Sequence, residues 1–143
     1  MDKNKRVDKT AILKKANKMN KNTLMETLGI VFTDFGEDFV EATMPVNSRV
    51  HQPVGLLHGG ATAALAESLG SLGSFIMVGE EAAGVVGIEI NANHIRSIKE
   101  GLVTARGTLL HKGRKTHVWD IKVTDEKDRL ISVCRLTNMI LPK

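Results

Sequence analysis

The segment best suited to chemistry is a glycine-rich turn in front of a long run of small residues. The turn has the sequence HQPVGLLHGG over residues 51–60, and the helix-forming run ATAALAESLGSLGSFIMV follows it. Glycines at a helix start let a ligand approach the first backbone N–H groups. Those groups and the positive end of the helix dipole stabilise an oxyanion. An ordinary glycine turn into a helix has the same spacing, so the turn alone does not establish such a site.

Glu67 is the only acidic residue of this run. Its neighbours are small and mostly apolar, among them Ala63, Ala64 and Ala66. A carboxylate in such surroundings costs free energy unless it is paired or functional. Ser71 lies one turn further along the same helix face, where its hydroxyl can hydrogen-bond the carboxylate. The alternative is a glutamate at an exposed helix edge, and we favour the functional interpretation.

The spacing of Gly59 and Glu67 predicts an oligomer. The two residues are eight positions apart, which is roughly 12 Å along a helix axis, and a Glu side chain recovers only part of that distance. One subunit therefore cannot easily place both groups on one carbonyl. Two antiparallel copies of the helix across a two-fold axis would bring one subunit's Gly59 near the other's Glu67 and create two equivalent sites. A dimer is the minimal unit, and we also expect a tetramer.

Before the glycine turn, the pattern predicts two helices and a hairpin. Apolar residues recur at helical spacing over residues 10–20. Thr23 and Glu26 form a capping-box pattern for a short second helix that Gly29 ends. Two strand-like arms around a turn then predict a β-hairpin over residues 30–44.

After the hairpin, prolines and glycines predict a loop over residues 45–60, and the small-residue run predicts a helix that ends near Gly79. Four strand-like segments with short connections follow, which favours an antiparallel meander. One helix wrapped by one antiparallel sheet is an α+β architecture.

Composition limits the function classes. Aromatic residues make up only 3% of the 143 residues, which disfavours a nucleic-acid platform of stacked aromatics. The net charge of +4 comes from residues 1–23, which carry eight Lys/Arg and two Asp. Such an arm either contacts nucleic acid or anionic lipid or is a solvated helix, and we favour the solvated helix. The lone Cys134, with no apolar leader and no membrane-length apolar run, predicts a cytoplasmic protein.

The run HQPVGLLHGGATAALAESLGS resembles the signature of hotdog-fold thioesterases. Within that family it is similar to the group around 4-hydroxybenzoyl-CoA, phenylacetic-acid-pathway and 1,4-dihydroxy-2-naphthoyl-CoA thioesterases. The resemblance covers about residues 23–143, including NANHIRS and RLTNMIL. It implies a hotdog domain over 23–143 behind a basic, partly helical extension over 1–22. It also implies hydrolysis of an acyl-CoA, aryl-CoA or acyl-carrier thioester to an acid and a thiol.

The resemblance also implies roles for single residues. Glu67 is expected to act as nucleophile or general base, and the Gly59 N–H to polarise the thioester carbonyl. His58 and Gln52 would support orientation, and Ser71 would position the attacking water or Glu67.

Substrate-binding residues follow less directly. His94 matches a substrate-site histidine on a neighbouring strand. Arg96, Lys112, Arg114 and Lys115 are candidates for the coenzyme A phosphates, since cationic side chains pair well with phosphate oxygens. For any one of them, a solvated sheet edge is an equally good explanation. No cofactor is expected, because coenzyme A is part of the substrate.

Other chemistries lack their motifs in this sequence. It contains no G-x-S-x-G elbow, no G-x-x-x-x-G-K-[ST] phosphate loop and no zinc-ligand spacing. Two rivals stay open. A non-catalytic hotdog protein would bind acyl-CoA as a sensor, and a hotdog dehydratase or hydratase would need a paired Asp/His that is not found here. Release of free thiol from an acyl-CoA separates these functions.

Overall fold

The elements come in the predicted order of two helices, a hairpin, a long helix and four strands. The computed structural model describes residues 8–143 and contains one six-stranded antiparallel sheet around the long helix. This confirms the α+β architecture. The helices are α1 Lys9–Met19, α2 Leu24–Leu28 and α3 Gly59–Val78, and the strands are β1 Val31–Phe35, β2 Phe39–Val46, β3 Ala82–His94, β4 Gly101–Lys112, β5 Thr116–Thr124 and β6 Leu130–Pro142.

The strand order corrects one expectation. It is β1-β2-β4-β5-β6-β3, so a meander is right for β4 to β6 but wrong for β3. β3 pairs with β6 instead, with His94 opposite Ser132. The connection from His94 to Gly101 crosses three strand spacings, about 14 Å, and its intervening residues can extend ~20 Å. A short connection therefore does not require that the strands it joins be neighbours.

β3 is an edge strand with apolar residues on its surface. It pairs only with β6, and the side chains of Val86 and Ile88 are exposed. An unpaired edge of this length is a template for a further strand, so proteins usually cover or interrupt it. This edge lies next to α3, which packs against β3.

The predicted loop begins two residues later than expected. Pro45 and Val46 belong to β2, and the pairing of β2 with β1 ends at Thr43 opposite Val31. Pro45 thus lies where the strand has no β1 partner, which is a position that tolerates proline.

The first helix is held against the sheet. Ala16 is buried in the core. The Asn17 side chain donates to the Phe32 carbonyl at 2.9 Å and accepts from the Phe32 N–H at 2.8 Å, and Asn20 donates to the Ile30 carbonyl. The helix predicted over residues 10–20 is confirmed. Residues 1–7 of the basic extension lie outside the described residues.

The short second helix keeps its predicted stop but not its predicted start. Gly29 ends α2 in the left-handed conformation, with φ of 72°. The Thr23 side chain makes no capping bond at the helix start and donates to the Asn20 carbonyl instead. Glu26 accepts from the N–H of Asn22. The predicted capping box is therefore wrong, because the Thr23 hydroxyl bonds to the preceding turn and not to the helix start.

The small residues of α3 make room for the one tryptophan. Trp119 on β5 is fully buried. A Cβ added at Gly73 would lie 2.7 Å from the Trp119 ring, and one added at Gly70 would lie 2.5 Å from Leu136. Overlap of this kind forces side chains or backbone to shift. The glycines of α3 therefore fix how closely the helix approaches the sheet. α3 is long and apolar enough to pass as a membrane span, but it is the core helix of this fold.

A buried polar cluster fastens α3 to β5 and β6. The Ser74 Oγ lies 2.9 Å from His117 Nδ1, and it accepts from Trp119 Nε1 and from Asn138 Nδ2. Those two donors fill the lone pairs of the hydroxyl, so its own proton must be donated to His117 Nδ1. His117 is therefore neutral, with its proton on Nε2. Burial, with Lys112 and His111 nearby, lowers the pKa of His117 below its usual value.

This cluster makes stability depend on pH. The unfolded chain takes up a proton at the ordinary pKa of histidine, about 6.5, but the folded chain takes it up only at lower pH. The free energy of unfolding should therefore fall as the pH drops below about 6.5. His117→Gln keeps an acceptor for Ser74 and does not titrate. Urea unfolding at neutral and mildly acidic pH should show that acidification lowers the free energy of unfolding less in this variant than in the wild type. An equal loss in both proteins would contradict the assignment.

Candidate functional site

The start of α3 carries the first part of the site. His58 precedes the helix, and its Nδ1 accepts the N–H of Gly60 at 2.8 Å. The Ala61 N–H donates to the His58 carbonyl. Within residues 8–143 of one protomer, the Gly59 N–H has no acceptor. His58 thus caps the helix in its neutral form and leaves the Gly59 N–H available to a ligand.

Four of the predicted site residues line one cavity beside Gly59. This cavity of about 230 Å³ is lined by Gln52, Gly59, His94 and Arg96, among others. A Cβ on Gly59 would lie 2.6 Å from His94 Nε2, so only glycine allows this approach. The Gln52 side-chain oxygen accepts from the Val54 N–H, which leaves the amide N–H groups of Gln52 free to donate.

His94 is oriented by a residue that the sequence did not single out. Its Nδ1 lies 3.2 Å from the Ser132 Oγ on the paired strand β6. Ser132 Oγ also lies 3.0 Å from the Asn93 carbonyl, which can only accept its proton. His94 Nδ1 then donates to Ser132, and Nε2 faces Gly59. The sequence carried no signal for Ser132, since its partner depends on the strand order.

Glu67 lies in a different cavity. That cavity of about 460 Å³ is lined by Glu67, Ser71 and mostly apolar side chains from α1, α2, α3 and the sheet. Within the described part of one protomer, the half-buried Glu67 carboxylate has no hydrogen bond and no ion pair. Ser71 makes no hydrogen bond to it in the described protomer, and its hydroxyl instead lies 3.5 Å from Asn138 Oδ1. An unpartnered carboxylate beside apolar side chains is a frequent mark of function.

Strand β3 forms the wall behind Glu67. A Cβ built on Gly87 would overlap the Glu67 carboxylate. The absence of a side chain at Gly87 thus leaves space for the Glu67 carboxylate against the edge strand. The sequence does not indicate this role, because it does not show which β3 residue faces the helix.

The two cavities are separate within one protomer. Gly59 opens α3 and Glu67 follows eight residues later in the same helix, about 12 Å along its axis. His58 faces a third cavity, with Arg49 and His51, on another side of the helix start. One protomer therefore brings Gly59, Gln52, His94 and Arg96 together, and brings Glu67 and Ser71 together, but does not join the two groups.

Three of the predicted basic residues lie at the other end of α3. Lys112, Arg114 and Lys115 line a cavity of about 1140 Å³, together with Met77 near the helix C-terminus and Lys143. Met77 follows Gly59 by eighteen residues and Glu67 by ten, which is about 27 Å and about 15 Å of helix. These cations are thus closer to Glu67 than to the Gly59 of the same chain.

Comparison with known proteins gives the family. The model of the thioesterase superfamily matches residues 54–132, which is more than half of the chain and includes Gly59 and Glu67. The chain belongs to the thioesterase superfamily.

Solved thioesterase structures share this fold. A mutant thioesterase from Pseudomonas aeruginosa superposes with a TM-score of 0.88 at 44% identity, covering 92% of this chain and 94% of that one. A thioesterase from Haemophilus influenzae gives 0.87 at 45% identity, covering 91% and 90%. These similarities confirm the hotdog fold and support hydrolysis of a small-molecule thioester.

The similarity to other thioesterase-superfamily members reaches further toward the N-terminus than the sequence motifs suggested. The Pseudomonas aeruginosa relative named as an esterase is 45% identical over 133 residues, which is 93% of this chain and 92% of its own length. Residues 23–143 alone cannot supply an alignment of that length. The shared region therefore includes part of residues 1–22, in agreement with the packing of α1 on β1.

Proposed function

We propose that this thioesterase hydrolyses acyl-CoA thioesters with Glu67 as its catalytic carboxylate. The observation that carries the proposal is the unpartnered Glu67 carboxylate in the wall of an apolar cavity. A general base or nucleophile needs an accessible carboxylate that other protein groups do not already occupy. The same cavity provides an apolar space beside it for an acyl group.

The oxyanion donors come from the start of α3. Within residues 8–143 of one protomer, the Gly59 N–H has no acceptor, and the N–H groups of the neighbouring Gln52 amide donate to no protein group. Both would hydrogen-bond the thioester carbonyl oxygen as it gains negative charge. His94 Nε2 flanks this position and would orient the substrate. His58, on another side of the helix start, holds that start in place.

Two routes satisfy the chemistry. In the first, Glu67 takes a proton from water, the hydroxide adds to the carbonyl carbon, the C–S bond breaks, and the proton passes to the thiolate. In the second, Glu67 attacks the carbonyl carbon, the thiolate leaves, and water hydrolyses the resulting anhydride. Ser71 is placed one turn after Glu67 to position the water in either route.

Each active site is built from two subunits. Gly59 and Glu67 lie about 12 Å apart in one helix, and they line separate cavities. The exposed edge of β3, which holds Gly87 behind Glu67, offers a surface for a two-fold partner. A dimer formed there with antiparallel α3 helices would place one subunit's Gly59 against the other's Glu67. A tetramer of two such dimers is part of the proposal.

Coenzyme A would then extend along the subunit that supplies Glu67. An extended phosphopantetheine arm is about as long as five extended residues, ~17 Å. The cavity with Lys112, Arg114 and Lys115 begins about 15 Å along α3 from Glu67. These side chains would hold the phosphates, while Arg96 lies nearer the carbonyl. We place the enzyme in the cytoplasm, where acyl-CoA is made and used.

The first experiment is a thiol-release screen of the wild-type protein. It uses short, medium, branched and aryl acyl-CoAs and follows free thiol with a chromogenic disulfide. Release from at least one of them is expected. A protein that binds acyl-CoA in calorimetry but releases no thiol would instead be the non-catalytic sensor.

Subunit complementation tests the shared site. Glu67→Gln and Gly59→Pro are each expected to be inactive alone. In a mixed dimer one site carries both substitutions and the other carries neither. About half of the dimers are mixed after random exchange, so activity should return to about a quarter of the wild-type value. Exchange is verified separately with differently tagged subunits. Confirmed exchange without recovered activity would place both groups in one chain.

A further inference from the structure

The cavity beside Glu67 has a wall that the family model does not include. The matched region begins at residue 54, but Met19, Leu24, Met25 and Phe32 from α1, α2 and β1 line the cavity. They face Leu72 and other residues of α3 across it. The shape of this cavity therefore depends on the segment before residue 54, which the family model does not match.

The wall is mostly apolar and offers an incoming group few polar partners. Asn20 donates to the Ile30 carbonyl, and Ser68 donates to the Ala64 carbonyl. The Ser71 hydroxyl lies against Asn138. In the described protomer, the Glu67 carboxylate, the Asn20 Oδ1 atom and the lone pairs of the two serine hydroxyls accept no hydrogen bond. A substrate hydroxyl placed against the apolar side chains of this cavity would lose its water without gaining a hydrogen bond, which costs free energy.

The size and rim of the cavity suit a long flexible chain. Its volume of about 460 Å³ lies in the range that holds whole drug-sized ligands. The rim is formed by Met19, Leu24 and Phe75, which are 61%, 56% and 49% exposed. An open rim lets a chain longer than the cavity continue outward. Methionines in the wall, Met19 and Met25, adapt to chains of different length.

We propose that α1 and α2 form the acyl-binding wall, and that it selects unsubstituted aliphatic acyl groups of medium to long chain over hydroxylated aryl groups. This inference rests on the proposed function, because it places the acyl group next to Glu67. Met19 and Leu24 are the specificity-determining residues. The 4-hydroxybenzoyl type of substrate suggested by the sequence group fits this wall poorly, since its hydroxyl would face mainly apolar side chains.

The test compares acetyl-, octanoyl-, palmitoyl- and 4-hydroxybenzoyl-CoA. Met19→Trp narrows the rim, and Leu24→Trp does so from the other side. Leu110→Trp is the matched control, because Leu110 is equally exposed on β4 and lines none of these cavities. All three positions are at the surface, so folding should persist, as thermal unfolding will verify.

We expect the wild type to prefer octanoyl- or palmitoyl-CoA. Met19→Trp should lower kcat/KM for palmitoyl-CoA at least ~10-fold, mainly by raising KM. It should change kcat/KM for acetyl-CoA less than ~2-fold. Leu110→Trp should change neither. An unchanged chain-length profile in both rim variants, or a preference for 4-hydroxybenzoyl-CoA, would overturn the inference while leaving thioester hydrolysis intact.

A binding measurement separates this inference from the proposed function. An S-hexadecyl-CoA thioether cannot be hydrolysed, so calorimetry reports binding even if the wild type hydrolyses no thioester. Weaker binding to Met19→Trp than to Leu110→Trp supports the acyl-binding wall. Equal binding to both variants contradicts it. Absence of thiol release with intact thioether binding would contradict only the catalytic proposal.

Discussion

Glu67→Gln should lower kcat at least ~100-fold while the protein stays folded, which is the scale of a lost general base or nucleophile. Glutamine preserves the length and width of the side chain, so it still fits against Gly87. It removes only the negative charge and the basic oxygen. The carboxylate has no protein partner within the described protomer, so its loss breaks no ion pair and should leave the melting temperature nearly unchanged.

The matched control for this variant is Glu89→Gln. Glu89 lies on the same strand β3 two residues after Gly87, is exposed, and hydrogen-bonds only Asn91. Steady-state thiol release and thermal unfolding are measured for both variants. A folded Glu67→Gln protein with wild-type kcat would remove Glu67 from the catalytic role, and an equal loss in Glu89→Gln would indicate a general charge effect.

Gly59→Pro should cost about 2.7–4 kcal/mol of transition-state stabilisation, the usual loss for one oxyanion donor. Proline removes the N–H at the first position of a helix, where its ring is well tolerated. The preceding His58 already has the extended backbone, with ψ of 128°, that a residue before proline requires. The helix start should therefore persist.

Gly59→Ala separates the lost donor from the added carbon. Alanine and proline both place a Cβ against His94 Nε2, 2.6 Å away before adjustment, but alanine keeps the N–H. The ratio of kcat between the two variants measures the N–H alone. A ratio of about 10²–10³ is expected for one oxyanion-hole donor. Equal kcat in the two variants would mean that the carbonyl binds elsewhere and that Gly59 only makes space for His94.

The sequence predicts the elements of this fold better than their arrangement. The run from Ala61 to Val78 is rich in Ala and Leu, contains no proline, and is ended by Gly79, so sequence pattern is enough to predict this helix. The place of β3 was wrong, because connection length does not determine which strands pair when a sheet folds around a helix. Strand pairing depends on which apolar faces meet across the core, and that is a tertiary property.

The candidate site shows the same limit. The glycine turn and Glu67 were found from residue type and spacing, and the resemblance added Gln52 and His94. Gly87, Ser132 and the apolar wall from α1 were not found. Each acts through a neighbour that is distant in sequence, such as Gly87 behind Glu67. Their chemistry is ordinary, so only the folded arrangement distinguishes them.

The pairing of β3 with β6 also determines when the protein can become an enzyme during its synthesis. β3 residues pair with partners 38 to 60 positions later, from His94 with Ser132 to Ala82 with Pro142. Until β6 leaves the ribosome, β3 has neither of its edges paired and Glu67 has no fixed wall behind it. Such late, non-local pairing slows folding and exposes strand edges to aggregation. Slow translation of the β4–β5 region would therefore prolong the stage at which the nascent chain most needs chaperone protection.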